Sequence, residues 1–220
     1  MTLWNWLTKT DAGLFTRIGA GALFFLIYAL IDLKKNGNKA RRWREYMILV
    51  LSVFIALCYG AVNDQITVRI SPEYFLYGKE LAPLVYGHEE RLPWEATKVG
   101  LKATWTVGLL IGVAILLANN PHRTLPQLPY PKLIRKIPVV ILFSILFAMI
   151  SGAIGHCGGL AFFSDDFHEM VRRNEYRPYR FMAVYGIHLG GYIGGLIGTI
   201  WAVVSIRTER YNNATSPEQK

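Results

Sequence analysis

With 220 residues, 52% hydrophobic and only 18% charged side chains, the chain falls below the roughly 25% charged content of an average soluble domain, and its apolar residues come in blocks. That composition excludes a water-soluble enzyme and a disordered chain. The net charge of +9 would suggest nucleic acid in a soluble protein; in a membrane protein it sets orientation, and no nucleic-acid partner is expected.

Five segments are long and apolar enough to cross a hydrocarbon core roughly 30 Å thick at a rise of about 1.5 Å per helical residue. They are Leu14 to Leu33, Tyr46 to Val62, Val99 to Ala118, Ile137 to Phe163 and Met182 to Ile206. The expected fold is an all-α integral membrane protein. Residues 1–206 would form a single transmembrane domain, a bundle of five transmembrane helices with a structured outer loop between helices two and three. The basic cluster of segment one follows its apolar run, and no small-residue cleavage site comes after, so the segment is expected to be retained. In the loop, Ile66-Thr67-Val68-Arg69-Ile70 alternates as a short strand would, and Ser71-Pro72-Glu73 reads as a helix start. Five prolines between Asn119 and Pro138 predict an extended connector. Ser164-Asp165-Asp166 opens a second helix start, and 207–220 reads as a disordered cytoplasmic tail.

Basic residues decide the orientation. The connections after segments one and three and the tail hold 13 Lys and Arg against three acids, Glu45, Glu209 and Glu218. The remaining polar stretches hold nine basic and 11 acidic residues. Placing the first set inside puts the N-terminus outside and the C-terminus in the cytoplasm, in a bacterial inner membrane. Trp4, Trp6, Trp94 and Trp105 then lie at the outer interface, and Trp43 and Trp201 at the inner one.

Several residue patterns nominate sites. Gly186, Gly190, Gly194 and Gly198 recur every four residues, with Gly191 and Gly195 beside them. They form a groove that another backbone can approach closely, from within the chain or from a second copy, and Gly108 and Gly112 offer a partner surface. His188, flanked by Tyr185 and Tyr192 at helical spacing, is an ionisable group inside a span, which is costly and calls for a partner. Asp64, Gln65, Arg69 and Glu73 crowd the outer end of segment two. With His188 and Tyr192 they are expected to build one outward-facing polar site. For a metal, the weak candidates are His168 and Glu169, one helical step apart beside Asp165, and His156 in a glycine-rich stretch. His168-Glu169-Met170-Val171-Arg172 and His88-Glu89-Glu90-Arg91-Leu92 both lack the second histidine of a zinc-protease helix. Cys58 and Cys157 sit in apolar runs and indicate neither a disulfide framework nor a thiolate metal site.

Asp64-Gln65 followed by Arg69 and Glu73-Tyr74-Phe75, then Ala103-Thr104-Trp105 with Gly108, and finally Arg180-Phe181, His188, Tyr192, Gly195 and Gly198 resemble a family of bacterial polytopic inner-membrane proteins with no assigned activity. The family tends to carry histidine before Asp-Gln, where this chain has Asn63. The resemblance implies membrane placement and nominates residues, and it supplies no reaction and no cofactor.

The functional expectation is a structural, accessory or ligand-binding membrane subunit with an outward polar site. The alternative is a membrane-embedded, metal-assisted enzyme at the outer face. Its partners would be the lipid bilayer and either a homo-oligomer or a larger membrane complex. The orientation is tested by single cysteines at positions 39, 79, 169 and 220 in intact cells. An impermeant thiol reagent should label 79 and 169 alone; labelling at 39 or 220 would reverse the topology.

Overall fold

The computed structural model describes residues 10–163 and 177–215. Among the described residues there is no strand, and five helices are long and apolar enough to cross a membrane. The protein is an all-α, multi-pass membrane protein. The long helices are α1 (Asp11–Asn36), α2 (Arg42–Ile70), α3 (Leu92–Ala118), α4 (Lys136–His156) and α5 (Pro178–Thr215). The chain divides into two compact units, Met1–Ile48 and Leu49–Lys220, with the boundary inside α2.

In the first unit, Thr10 caps α1 by accepting from the Gly13 amide at 3.0 Å. At the other end Asp32, nearly buried, accepts from the Arg41 and Arg42 amides at 2.9 and 2.8 Å and from the Asn36 side chain at 2.7 Å. One carboxylate therefore satisfies the first amides of α2, which have no partner in their own helix. Leu23, Phe24, Leu26 and Leu30 stay exposed on α1, a surface suited to lipid.

In the second unit, glycines bring backbones together in two places. A Cβ added at Gly186, Gly190 or Gly194 would collide with the carbonyl of Ser151, Phe147 or Phe143, and one at Gly198 would lie 2.9 Å from Val140 Cα. The period-four row is thus filled by α4 of the same chain. Gly108 and Gly112, expected to face that row, pack instead on α2: a Cβ at Gly108 would be 2.7 Å from Ala56 Cβ, and one at Gly112 3.0 Å from Leu49. Gly60 and Gly100 extend the α2–α3 crossing, each pressed on the other's backbone. Without side chains at these points, van der Waals contact runs from backbone to backbone, which is what holds helices together in lipid.

The structure corrects four local expectations, one of them the extended connector from Asn119 to Pro138, which is helical over Tyr130–Ile134 and again from Lys136. Ile66–Ile70 is the last part of α2, not a strand. Segment four stops at His156, where Gly158 adopts a left-handed φ of 81°, and does not continue as α-helix to Phe163. The tail expected to be disordered from 207 is helical through Thr215 because Arg210 ties it down. That guanidinium is buried and donates to the carbonyls of Ala118 (2.5 Å), Asn120 (2.8 Å), Leu125 (3.2 Å) and Pro126 (3.0 Å). The proline-rich connector is therefore wrapped around one arginine, and the Asn119 side chain, paired with the Leu128 backbone in both directions, closes it.

Gly190→Leu or Gly194→Leu should lower stability by about 1–3 kcal/mol, as overpacking does elsewhere. Gly19→Leu should be close to neutral, since nothing lies within 4 Å of a Cβ there. Thermal unfolding of the three variants in mild detergent measures the difference; equal stabilities would refute the close crossing.

Candidate functional site

Helical continuation of α2 through Ile70 decides which side chains turn inward. At a period of 3.6, Asp64, Thr67, Val68 and Ser71 share a face, and all four are buried. Ile66 and Arg69 point the other way and are exposed. After a break at Ser71 the chain restarts at Pro72, and a π-helical turn, Tyr74–Gly78, folds over the end of the bundle. Tyr74 and Phe75 enter a buried apolar cluster with Val68, Val85, Phe181 and Met182, which roofs the polar residues below.

Under that roof lies His188. Its ring stacks on Tyr74 (centroids 5.0 Å apart, 12° between planes) and meets Phe75 edge-on at 6.0 Å. Its Nε2 lies 3.7 Å from Asp64 Oδ1 and 3.5 Å from Thr67 Oγ1. The Asp64 side chain is 3% exposed and that of His188 14%. Asn63 donates to Asp64 Oδ1 at 3.2 Å. Asp64 Oδ2, in contrast, has no partner; among the described residues no other buried side-chain oxygen or nitrogen is left in that state. The α2–α3 crossing closes one side of the carboxylate, since a Cβ on Gly100 would lie 3.0 Å from Asp64 Cγ.

Asp64 and His188 line a cavity of about 230 Å³ bounded by α2, α3, α4, α5 and the roof. Tyrosines 59, 74, 185 and 192 reach it, and exposed Lys79 stands at its edge with Nζ 5.3 Å from the centre of the Tyr74 ring. Burial, reinforced by the Asp64 charge, pushes the Tyr74 hydroxyl well above its ordinary range, so it stays protonated. Gly191 and Gly195, beside the packed glycine row, supply floor space: a Cβ at Gly191 would be 2.8 Å from the Tyr59 hydroxyl, and one at Gly195 3.2 Å from Ser144 Oγ.

Of the residues grouped from the sequence, Asp64 and His188 meet, and half-exposed Tyr192 lines the same cavity. Gln65 sits on another face of α2 and donates to Pro93 O at 2.7 Å and Thr97 Oγ1 at 2.6 Å, pinning α2 to the start of α3. Arg69 folds back onto Gln65, donating to its carbonyl and, at 2.8 Å, to its Oε1. Glu73 accepts from Ser71 Oγ at 2.8 Å. Arg69 and Glu73 thus form local contacts and do not join His188. His156 is exposed at the end of α4, and His168 and Glu169 lie outside the described residues. Among the described residues no three His, Cys, Asp or Glu side chains gather as a metal site. Tyr59 and Lys79 are not singled out as site residues by the sequence, whereas Tyr74 belongs to the Glu73-Tyr74-Phe75 block that the resemblance nominates. The available signal for the first was its i, i+4 step to Asn63, beside the equal step from Gly60 to Asp64.

No protein family, curated protein or solved structure matches the chain.

The two buried aspartates should respond oppositely to substitution. Asp32→Ala removes the acceptor of three donors and should lower thermal stability, as loss of a helix cap does. Asp64→Asn, nearly isosteric at a site with an unpartnered oxygen, should leave thermal stability unchanged or raised. A large loss with Asp64→Asn would make Asp64 a purely structural group.

Proposed function

We propose that this chain is a multi-pass protein of the bacterial inner membrane, C-terminus cytoplasmic, whose Asp64 cavity binds the ammonium group of a ligand from the outer side. The observation that carries this reading is Asp64, which lines the cavity and whose Oδ2 is buried without a partner. A charge so placed is costly unless paired, and His188 at 3.7 Å is beyond a hydrogen bond. An ammonium supplies both the opposite charge and the missing donor, and the electron-rich faces of the surrounding tyrosines favour a cation. The orientation draws on the basic residues, which crowd the end where Arg210 holds the connector and where Lys132 and Lys136 pair with Glu209.

A charge-assisted hydrogen bond of about 1.5–3 kcal/mol with about 1 kcal/mol of cation–π attraction gives a small amine a Kd on the order of 1–15 mM. Butylamine at about ten times that Kd should stabilise the detergent-solubilised protein by about 1.4 kcal/mol, a rise in Tm of about 3–5 °C. The rise should vanish in Asp64→Asn. No rise, or the same rise in the variant, would refute the reading.

The contact of His188 with Asp64 favours a second reading, a membrane-embedded enzyme in which the imidazole takes up a proton from the bound group. In that case His188→Gln binds butylamine normally but abolishes chemical conversion of whatever molecule the native protein retains.

A further inference from the structure

The cavity does not stand alone. On the flank of the bundle, between α2 and α4, runs an open apolar groove of about 740 Å³ in which Val62, Ile66, Ile145 and Met149 lie exposed. Tyr59, Asn63 and Ile141 line both spaces, so the two share a wall of three side chains. Along α2 the groove extends from Ile55 to Thr67, which at about 1.5 Å per residue is roughly 18 Å. That is close to one leaflet of a hydrocarbon core about 30 Å thick. The cavity, at about 230 Å³, falls below the range of about 300–1,000 Å³ typical of whole-ligand pockets, whereas the groove falls within it. A headgroup fits the one and a hydrocarbon chain the other.

The charges fix the headgroup further. Asp64 lies deep, with an unpartnered oxygen. Lys79, with the opposite sign, is exposed at the edge on the roof side. A group that satisfies both must carry a cation inward and an anion outward.

Resting on the ammonium reading above, we propose that the ligand is a zwitterionic lipid of the outer leaflet. Its primary ammonium would sit on Asp64, its phosphate at Lys79, and one hydrocarbon chain in the α2–α4 groove. Entry sideways from the bilayer displaces the shared wall of Tyr59, Asn63 and Ile141. Because the chain moves from lipid into an equally apolar groove, it adds little affinity; the headgroup supplies selection and the groove supplies position.

The test uses the full chain in phosphatidylcholine vesicles containing a few photoactivatable lipids. Each carries a diazirine on one chain and either an ethanolamine-phosphate or a choline-phosphate headgroup. A third probe, a diazirine-bearing long-chain primary amine, lacks the phosphate. The ethanolamine lipid should mark groove residues of α2 and α4, competed by butylamine and reduced about tenfold in Asp64→Asn. Lys79→Ala should weaken its labelling about threefold without weakening that of the long-chain amine, for which it removes only a like charge. The choline lipid, without an N–H donor, should label the groove no more than other lipid-facing surfaces. Groove labelling by the ethanolamine lipid that ignores Asp64→Asn, or that the choline lipid equals, would overturn the proposal as ordinary lipid contact. Labelling by the long-chain amine alone would overturn the zwitterion and leave the ammonium reading standing. Failure of that reading shows separately, as the absence of an Asp64-dependent butylamine shift in Tm.

Discussion

Burying a carboxylate is costly unless it is paired, and the arrangement around Asp64, 2% exposed, is governed by that constraint. Gly60 and Gly100 press α2 and α3 together so closely on one side of it that a Cβ on Gly100 would lie 3.0 Å from its carboxyl carbon. Tyr74 and Phe75 close the space above. His188 is held by ring stacking with its Nε2 3.7 Å from the carboxylate, beyond a hydrogen bond. Asp32 shows the contrast within the same chain: also buried, it accepts three hydrogen bonds and serves as a helix cap. One aspartate is completed by its own fold, and the other retains one unpartnered oxygen.

The cavity owes its existence to a doubling of the glycine pattern on α5. The row Gly186, Gly190, Gly194 and Gly198 lies flush on α4, where each missing side chain removes a clash with backbone. Gly191 and Gly195, one residue on, turn about 100° away and face Tyr59 and Ser144 instead. There a missing side chain leaves room. Close packing on one face of a helix and an opening on the next thus come from the same residue type. Substitutions in the two rows have different meanings, the first for assembly of the bundle and the second for the volume of the site.

At the opposite end, Arg210 gathers the four carbonyls of a chain segment rich in proline, which lacks amides for regular structure. This anchor extends α5 well beyond the apolar stretch. It was not legible in the sequence, because an arginine in a polar tail looks the same whether solvated or buried. Membrane spans and the glycine row were legible, since both rest on periodicity and composition. The strand expected at Ile66–Ile70 failed for a physical reason: β-branched residues alternating with polar ones fit a strand, but the alternation was a coincidence within a longer helical period marked by Asp64, Thr67 and Ser71. Thr67 donating to Asn63 O at 2.9 Å and Arg69 folding onto Gln65 are both four-residue helical contacts. With α2 continuing as helix, Arg69 is exposed on the side away from Asp64 and pairs with Gln65 instead of His188.

If Asp64 awaits a cation, the cation must be found on it. Solid-state NMR can measure dipolar coupling between nitrogen-labelled butylamine and the side-chain carboxyl carbons of aspartate in the reconstituted, carbon-labelled protein. The account predicts coupling to one aspartate carboxyl carbon, absent in Asp64→Asn. Amine bound with no such coupling, or coupling that survives the substitution, would contradict it.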